Sequence, residues 1–213
     1  MYAHFGKRLF DFAAALAGLI VLALPLGLVA LVVWASSGRP VLFTQARVGR
    51  GGRLFLVRKF RTMYVRETLD SSVTVSGDSR MTPIGRWLRR LKVDELPQLW
   101  NVLVGEMSLV GPRPDVPGYA DRLEGEDRRI LELRPGITGP ATLAYRNEEE
   151  LLAGVDDPTR YNDEVIYPHK VRLNVAYLEE CSLLKDLGYI FQTVLPFLRP
   201  PAVALDSSEE SAG

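Results

Sequence analysis

From Phe12 to Trp34 the chain runs for 23 residues without a charged side chain. As a single helix that run would measure about 34 Å at roughly 1.5 Å per residue, enough to cross the hydrocarbon core of a bilayer. A cleaved signal peptide fits less well, because its apolar region is only about 7–15 residues long. Two features weigh against a simple span. Pro25 sits inside the run, where it removes a helix hydrogen bond and crowds the preceding turn. The flanks are basic on both sides: Lys7 and Arg8 before the run, Arg39, Arg47, Arg50 and Arg53 after it. Positive residues favour the cytoplasmic side of a membrane. A re-entrant helix–break–helix that dips into one leaflet satisfies both facts; a kinked single span is the alternative. In the re-entrant form, carbonyls freed near Pro25 need local partners, because lipid offers none.

The rest of the chain must supply the chemistry, and composition narrows it. At 213 residues there is room for one well-buried domain. The formal net charge is zero, but residues 1–100 carry 15 basic and 6 acidic side chains, and residues 101–213 carry 11 basic and 20 acidic. The N-terminal half is thus suited to meeting something anionic. Arginine outnumbers lysine 21 to 5, and arginine is the side chain fitted to bidentate phosphate contacts. Cys181 is the only cysteine, which excludes an intrachain disulfide and reads as a small buried residue. With only His4 and His169, a His- or Cys-based zinc site is excluded. There is no Gly-x-Ser-x-Gly elbow, no P-loop and no Gly-x-Gly-x-x-Gly. Carboxylates, arginines and a metal remain.

Local patterns organise the chain after the apolar run. Val41–Ala46 and Arg53–Phe60 are β-rich, and the glycines of residues 47–52 signal the turn of a hairpin. Residues 66–80 read as a polar loop. Ile84, Trp87, Leu88 and Leu91 fall at helical spacing within Pro83–Lys92, with Arg86, Arg89, Arg90 and Lys92 on the other face. Such a helix can lie in a membrane interface or pack as an ordinary surface helix. Pro97 fits the start of the next helix and Gly105 its end. Leu123–Leu133 reads as an exposed, charged helix, and Glu148–Ala153 and Val165–Leu178 as further helices. Ser182 is a cap for a last one, Leu183–Leu198, with an apolar face. Residues 200–213 have the composition of a disordered tail.

Three constellations could carry chemistry. Asp94 and Glu95 are adjacent at a helix start, where free N–H groups and the dipole favour anions; there a carboxylate can ligate a hard cation, attack phosphorus, or simply cap the helix. In Gly111-Pro112-Arg113-Pro114 two prolines stiffen the backbone around one arginine, which makes either a clamp for a diphosphate or a tight surface turn. Arg58, Lys59 and Arg61 follow the hairpin, to receive phosphate or to solvate a strand end.

Taken together and in order, these motifs are those of a known family. The chain from Tyr2 to Leu195 resembles the bacterial sugar transferases of the monotopic phosphoglycosyl transferase superfamily. The likeness rests on Lys7-Arg8 before a proline-broken apolar run, Phe43-Thr44-Gln45-Ala46-Arg47-Val48-Gly49, Lys59-Phe60-Arg61-Thr62-Met63, Asp94-Glu95-Leu96-Pro97-Gln98-Leu99, Gly111-Pro112-Arg113-Pro114 and Arg134-Pro135-Gly136-Ile137-Thr138-Gly139. The resemblance implies transfer of sugar-1-phosphate from a UDP-sugar to polyprenyl phosphate at the cytoplasmic face of the bacterial inner membrane, with loss of UMP. It implies that Asp94 attacks the sugar-bearing phosphate to form a covalent phosphosugar, that Glu95, with Asp94, holds Mg²⁺, and that Lys59, Arg61, Arg89, Arg113 and Arg146 bind substrate. It also favours the re-entrant anchor, with its kink at Pro25.

The implied architecture is α+β: a re-entrant membrane anchor over residues 1–38, a small cytoplasmic α/β domain with a β-hairpin and amphipathic interfacial helices over residues 39–199, and a disordered tail over residues 200–213. The expected partners are the UDP-sugar, polyprenyl phosphate and membrane lipid, with no nucleic acid and with room for a homodimer. Two departures stand out. The usual Ser-Pro at the kink is Leu24-Pro25, and the usual Leu-x-Gln-Val-x-Gly-Arg after Gly139 is replaced by Pro140-Ala141-Thr142-Leu143-Ala144-Tyr145-Arg146. The second leaves the sugar unassigned. A catalytically silent scaffold and a soluble-nucleotide phosphohydrolase are the competing readings; the intact dyad opposes the first and the anchor the second.

Overall fold

The computed structural model describes residues 2–64 and 81–195. The expected polar loop at 66–80 and the tail at 200–213 lie outside the described residues.

The apolar run forms two helices, α1 (Lys7–Val21) and α2 (Ala23–Ser37), bent by 63° at the single residue between them. No single helix among the described residues is long and apolar enough to cross a membrane. Pro25 falls in the first turn of α2, where a missing N–H costs least. The break is bridged by backbone alone: Leu22 N–H donates to Gly18 O (2.9 Å) and Leu26 N–H to Leu22 O (2.8 Å). No side-chain hydroxyl caps either helix at the bend. Outward-facing Leu9, Phe12, Leu16, Ile20, Leu24, Leu28, Leu31 and Trp34 are exposed, while Ala15 on the inner face of α1 is fully buried.

The hairpin forms where the β-rich runs and the glycines place it. Strand β1 (Leu42–Val48) pairs antiparallel with β2 (Leu54–Phe60), Leu42 opposite Phe60 and Val48 opposite Leu54. Gly51 and Gly52 turn the chain at φ of 68° and 79°. Next come α3 (Pro83–Arg90), capped by the Thr82 hydroxyl on Gly85 N–H (2.9 Å), and α4 (Gln98–Val104), ended by Gly105 at φ 92°. Strand β3 (Ser108–Val110) pairs parallel with β4 (Gly136–Thr138), and helices α5 (Pro140–Ala144), α6 (Glu148–Ala153), α7 (Pro158–Tyr161), α8 (Tyr167–Glu180) and α9 (Leu183–Val194) follow. Ser182 caps α9 through Lys185 N–H (3.4 Å). The mixture of helix and sheet agrees with the expected α+β class.

Three expectations change. The charged stretch Leu123–Leu133 is not an exposed α-helix: it holds a 3₁₀ segment, Asp127–Glu132, whose Ile130 and Leu131 are buried. Gly125 at φ 55° precedes it, and Pro135 follows it closely. The amphipathic helix α3 stops at Arg90, and Lys92 turns into the left-handed region at φ 57°. Cys181 is half-buried rather than buried, with its Sγ 3.5 Å from the Tyr177 hydroxyl; burial raises its pKa, so it is not an activated thiol.

The bent helix pair is stitched to the rest of the chain by buried polar groups. Lys7 Nζ and the Tyr2 hydroxyl each donate to Asp186 Oδ2 at 2.6 Å, and the Tyr177 hydroxyl donates to Oδ1 of the same carboxylate. Asp186 is fully buried. Arg8 donates to the carbonyls of Val102 (2.6 Å) and Leu103 (2.8 Å) at the C-terminus of α4, where a cation suits the helix dipole. Asp11 accepts the Leu109 N–H (3.0 Å). One core cluster joins both parts: Ala15 of α1 packs with Val57 of β2, Leu99 and Val102 of α4, and Met107.

Candidate active site

Asp94 and Glu95 do not sit in the first turn of α4. They occupy a separate 3₁₀ turn, Val93–Glu95, wedged between α3 and α4. Lys92 is the pivot. Its N–H donates to Arg89 O (3.0 Å), closing α3, and its carbonyl accepts Glu95 N–H (3.3 Å), opening the turn. Pro97 then starts α4. The sharp reversal tucks both carboxylates inward, and both side chains are buried.

The two carboxylates have different surroundings. Glu95 Oε1 accepts from Lys59 Nζ (2.7 Å) and from Arg113 Nη2 (2.9 Å). Lys59 comes from the end of β2, and Arg113 from the Pro-Arg-Pro turn after β3. Burial pushes the Glu95 carboxyl up, but Arg113 and Lys59 override it and hold the group well below the usual carboxylate range. Asp94 is raised above its ordinary value, by burial first and by the Glu95 charge second; Lys59, Arg89 and Lys92 oppose the rise. Asp94 Oδ1 is buried and has no hydrogen-bond partner among the described residues. A buried carboxylate oxygen without a partner costs free energy unless something binds it. Adjacent carboxylates pushed in opposite directions are the pattern of a working pair.

Arg89 reaches the same place from α3. Its Nε donates to Thr62 Oγ1 (3.0 Å), and its charge is felt by Asp94. Thr62 itself receives the Thr82 N–H (2.9 Å) on its carbonyl, so the segment after β2 fixes the start of α3. Gly85 lies against that same carbonyl with no room for a Cβ.

A model of the family described as bacterial sugar transferase matches residues 2–200. This chain belongs to the bacterial sugar transferase family. It is 43% identical over 196 residues to an undecaprenyl-phosphate glucose phosphotransferase of Komagataeibacter xylinus, covering 88% of this chain and 35% of the relative. It is 36% identical to a UDP-glucose:undecaprenyl-phosphate glucose-1-phosphate transferase of Caulobacter vibrioides, covering 88% of this chain and 68% of the relative. An exopolysaccharide production protein of Rhizobium leguminosarum is 39% identical over 89% of this chain and 93% of its own length. The chain therefore spans little more than a third of the Komagataeibacter protein and nearly the whole of the Rhizobium one.

Among the residues that the resemblance marks for substrate, this member of the sugar transferase family gathers Lys59, Arg89 and Arg113 around Asp94 and Glu95. It does not bring Arg61 there. The Arg61 guanidinium donates instead to the Ser37 carbonyl, to Ser37 Oγ (3.0 Å) and to the Gly38 carbonyl (2.7 Å), capping the end of α2. Arg146 is exposed just past α5, and no hydrogen bond or ion pair joins it to the dyad. Pro25 lies in the first turn of α2, three residues past the bend at Leu22, and no contact joins it to the dyad among the described residues.

Arg47 was within reach of sequence reasoning, since it lies in a motif already singled out, yet its role depends on a contact 67 residues away. Its Nη1 donates to Pro114 O (3.1 Å) and its Nη2 to Gln45 Oε1 (2.6 Å). Val48 N–H donates to Asp115 O (2.9 Å). Strand β1 thereby pins the turn that presents Arg113. Asp115 accepts from the Tyr167 hydroxyl (3.2 Å), and burial raises its carboxyl to about 6.

No group of three or more His, Cys, Asp or Glu side chains suited to a metal occurs among the described residues. Asp94 and Glu95 still fit Mg²⁺, which needs only one or two carboxylates when water and substrate phosphates complete its shell. The unpartnered Asp94 oxygen is a free hard donor of that kind.

Proposed function

We propose that this protein moves sugar-1-phosphate from a UDP-sugar to undecaprenyl or a related polyprenyl phosphate, with UMP as the other product, by way of a covalent phosphosugar on Asp94. The observation that carries the reading is the buried, unpartnered Asp94 oxygen beside a Glu95 held ionised by Lys59 and Arg113. The relatives' names supply the substrate class.

The atoms balance without a proton donor. An Asp94 oxygen attacks the sugar-bearing phosphorus; a P–O bond forms and the bridging P–O bond to UMP breaks, so UMP leaves as its anion. An oxygen of polyprenyl phosphate then attacks the same phosphorus, and the Asp94 carboxylate leaves. Phosphoryl transfer of this kind asks mainly for positioning and charge stabilisation. Arg113 and Arg89 supply fixed positive charge on either side of the dyad. Lys59 and Arg113 keep Glu95 ionised as a ligand. When bound at Asp94 and Glu95, Mg²⁺ would neutralise diphosphate charge.

The anchor is read as re-entrant, on the cytoplasmic face of the inner membrane. In support, the start of α1 is tied to Asp186 and α4, and the end of α2 is tied to Arg61, so both ends of the bent pair hold to one domain. Cysteines placed at residues 4 and 50 should both label from the cytoplasmic side only; labelling of residue 4 from outside would reject the model.

The reaction is tested with purified protein, Mg²⁺, undecaprenyl phosphate and a panel of UDP-sugars. UMP release should depend on lipid at steady state, and intact mass should show a phosphosugar adduct that is absent from Asp94→Asn. Lipid-independent UMP release would mean hydrolysis, no release with any sugar would mean a scaffold, and full activity in Asp94→Asn would remove Asp94 as nucleophile.

A further inference from the structure

Lys92 is the only non-glycine residue with positive φ among the described residues. It stands at the position after a helix end that glycine usually fills, because a Cβ is disfavoured there. Every backbone duty of Lys92, the N–H to Arg89 O and the carbonyl to Glu95 N–H, could be met by glycine at less strain. Strain kept next to a working site points to what the side chain does. The Lys92 side chain is exposed, two residues from Asp94, and its charge acts on that carboxylate.

The neighbours of Lys92 give the kind of ligand. Lys59 and Arg113 are already engaged by Glu95, and Arg89 by Thr62, whereas no hydrogen bond or ion pair occupies the Lys92 ammonium among the described residues. Leu91, the residue before it, is 64% exposed, and Trp87 in the last turn of α3 is 60% exposed. An exposed cation beside exposed apolar side chains, two residues from a buried nucleophile, matches an amphipathic anion: a phosphate monoester carrying a long apolar chain. A water-soluble nucleotide has no use for the apolar neighbours.

We propose that Lys92 receives the phosphate of the polyprenyl acceptor and presents it to the phosphosugar on Asp94. The proposal rests on the two-step reading above, and it divides the cations of the site between the two half-reactions. Lys59 and Arg113 hold Glu95 and Arg89 stands beside Asp94, where the nucleophile is set, and Lys92 serves the lipid phosphate.

The test separates the steps. Lys92→Gly, Lys92→Asn and Lys92→Arg are prepared in phosphatidylcholine nanodiscs. Adduct formation from the UDP-sugar is followed by intact mass without lipid acceptor. Adduct decay is then followed against undecaprenyl phosphate concentration. In Lys92→Gly and Lys92→Asn the half-saturating undecaprenyl phosphate should rise by about tenfold or more, the loss of one charge-assisted contact, and the decay step should suffer more than the formation step. Lys92→Arg should recover most of the loss. The Tm of Lys92→Gly should stay within about 2 °C of the parent or exceed it, because relief of strain offsets the added chain entropy. Equal slowing of both steps, an unchanged half-saturation, or a larger fall in Tm accompanied by loss of both steps would overturn the proposal. So would loss of binding to phosphatidylglycerol vesicles with normal undecaprenyl phosphate kinetics, which would assign Lys92 to bulk headgroups. If the parent forms no adduct at all, the two-step reading fails instead, and the two failures are distinct.

Discussion

Replacing Asp186 by alanine should loosen the bent helix pair from the rest of the fold. The carboxylate is fully buried and takes three donors: the Lys7 ammonium, whose side chain is only 8% exposed, and the hydroxyls of Tyr2 and Tyr177. Removing one partner of a buried ion pair leaves the other charge desolvated, at a cost of about 3–5 kcal/mol. Two hydroxyls lose their acceptor as well, but these losses share one network and do not simply add. Taking about 4 kcal/mol and a shift of roughly 2–4 °C per kcal/mol for a chain of this size, the Tm should fall by about 8–16 °C. Thermal unfolding in detergent, followed by intrinsic fluorescence, reads the change. The control is Lys7→Met with Asp186→Leu. Replacing both charges by apolar groups of similar volume removes the unpaired ion, and the pair should recover most of the lost Tm. If Asp186→Ala costs less than about 1 kcal/mol, or if the two substitutions prove additive, the ion pair is not buried as described and the reasoning fails.

Other consequences follow from single contacts. Arg61→Ala should destabilise the fold through loss of the α2 cap, by about 1–3 kcal/mol for the carbonyls left without a donor, read as a lower Tm, while the KM for UDP-sugar changes less than about twofold; a large rise in KM would return Arg61 to the substrate. Gly85→Ala should force α3 off the Thr62 carbonyl and misplace Arg89, giving folded protein with impaired adduct formation or outright loss of stability; normal adduct formation would show that α3 can shift freely. The dyad should also show opposite pH signatures. Ionising Asp94 is disfavoured by folding, a cost fully present above its raised pKa and gone once the pH falls to the unfolded value of about 3.9. Asp94→Asn should therefore raise Tm at pH 7.5, and the gain should fade on acidification. Glu95 has a depressed pKa, so its contribution is present above about pH 4.3 and lost as the pH falls below that. Glu95→Gln should lower Tm at pH 7.5 and matter less in acid. Shifts of the same sign in both variants would refute the assignment of the two environments.

What the sequence made legible was local. β-rich runs and glycines placed the hairpin, helical spacing placed α3, Pro97 and Gly105 bracketed α4, and Ser182 announced α9, each from a few consecutive residues. The parallel pair β3–β4 was not legible. Each strand has three residues, too few for a period, and the pairing of Ser108 with Gly136 crosses an intervening segment whose charged surface hid two buried residues, Ile130 and Leu131. The same division runs through the site. The motifs named Asp94, Glu95, Lys59, Arg89 and Arg113, and these side chains do converge. Motif membership does not say where a long side chain points. Arg61 turns back to α2, and Arg47, two residues along the strand from Gln45, turns to the Pro-Arg-Pro turn. Periodicity places Lys92 on a helical face, but the helix ends two residues short, at Arg90, and the left-handed backbone of Lys92 takes it off that face.

The charge asymmetry of the chain takes on a different meaning once side-chain partners are known. Counting basic residues treats each as free to meet an anion. In the N-terminal half, Lys7 is spent on Asp186, Arg8 on the end of α4, Arg61 on the end of α2, Lys59 on Glu95 and Arg58 on Glu106. These cations hold the bent helix pair and the hairpin to the rest of the fold; they do not form an outward field. Lys7 and Arg8 therefore lose force as a positive-inside signal, because their positions are fixed by packing whatever membrane lies nearby. What favours the re-entrant placement proposed above is geometry instead. A helix pair bent by 63° with both outer ends bound to the same domain keeps those ends together, and it would do so even if every flanking charge were neutral. Neutralising the exposed Arg39, Arg50 and Arg53 should then leave the labelling pattern of residues 4 and 50 unchanged, whereas a topology set by flanking charge would scatter.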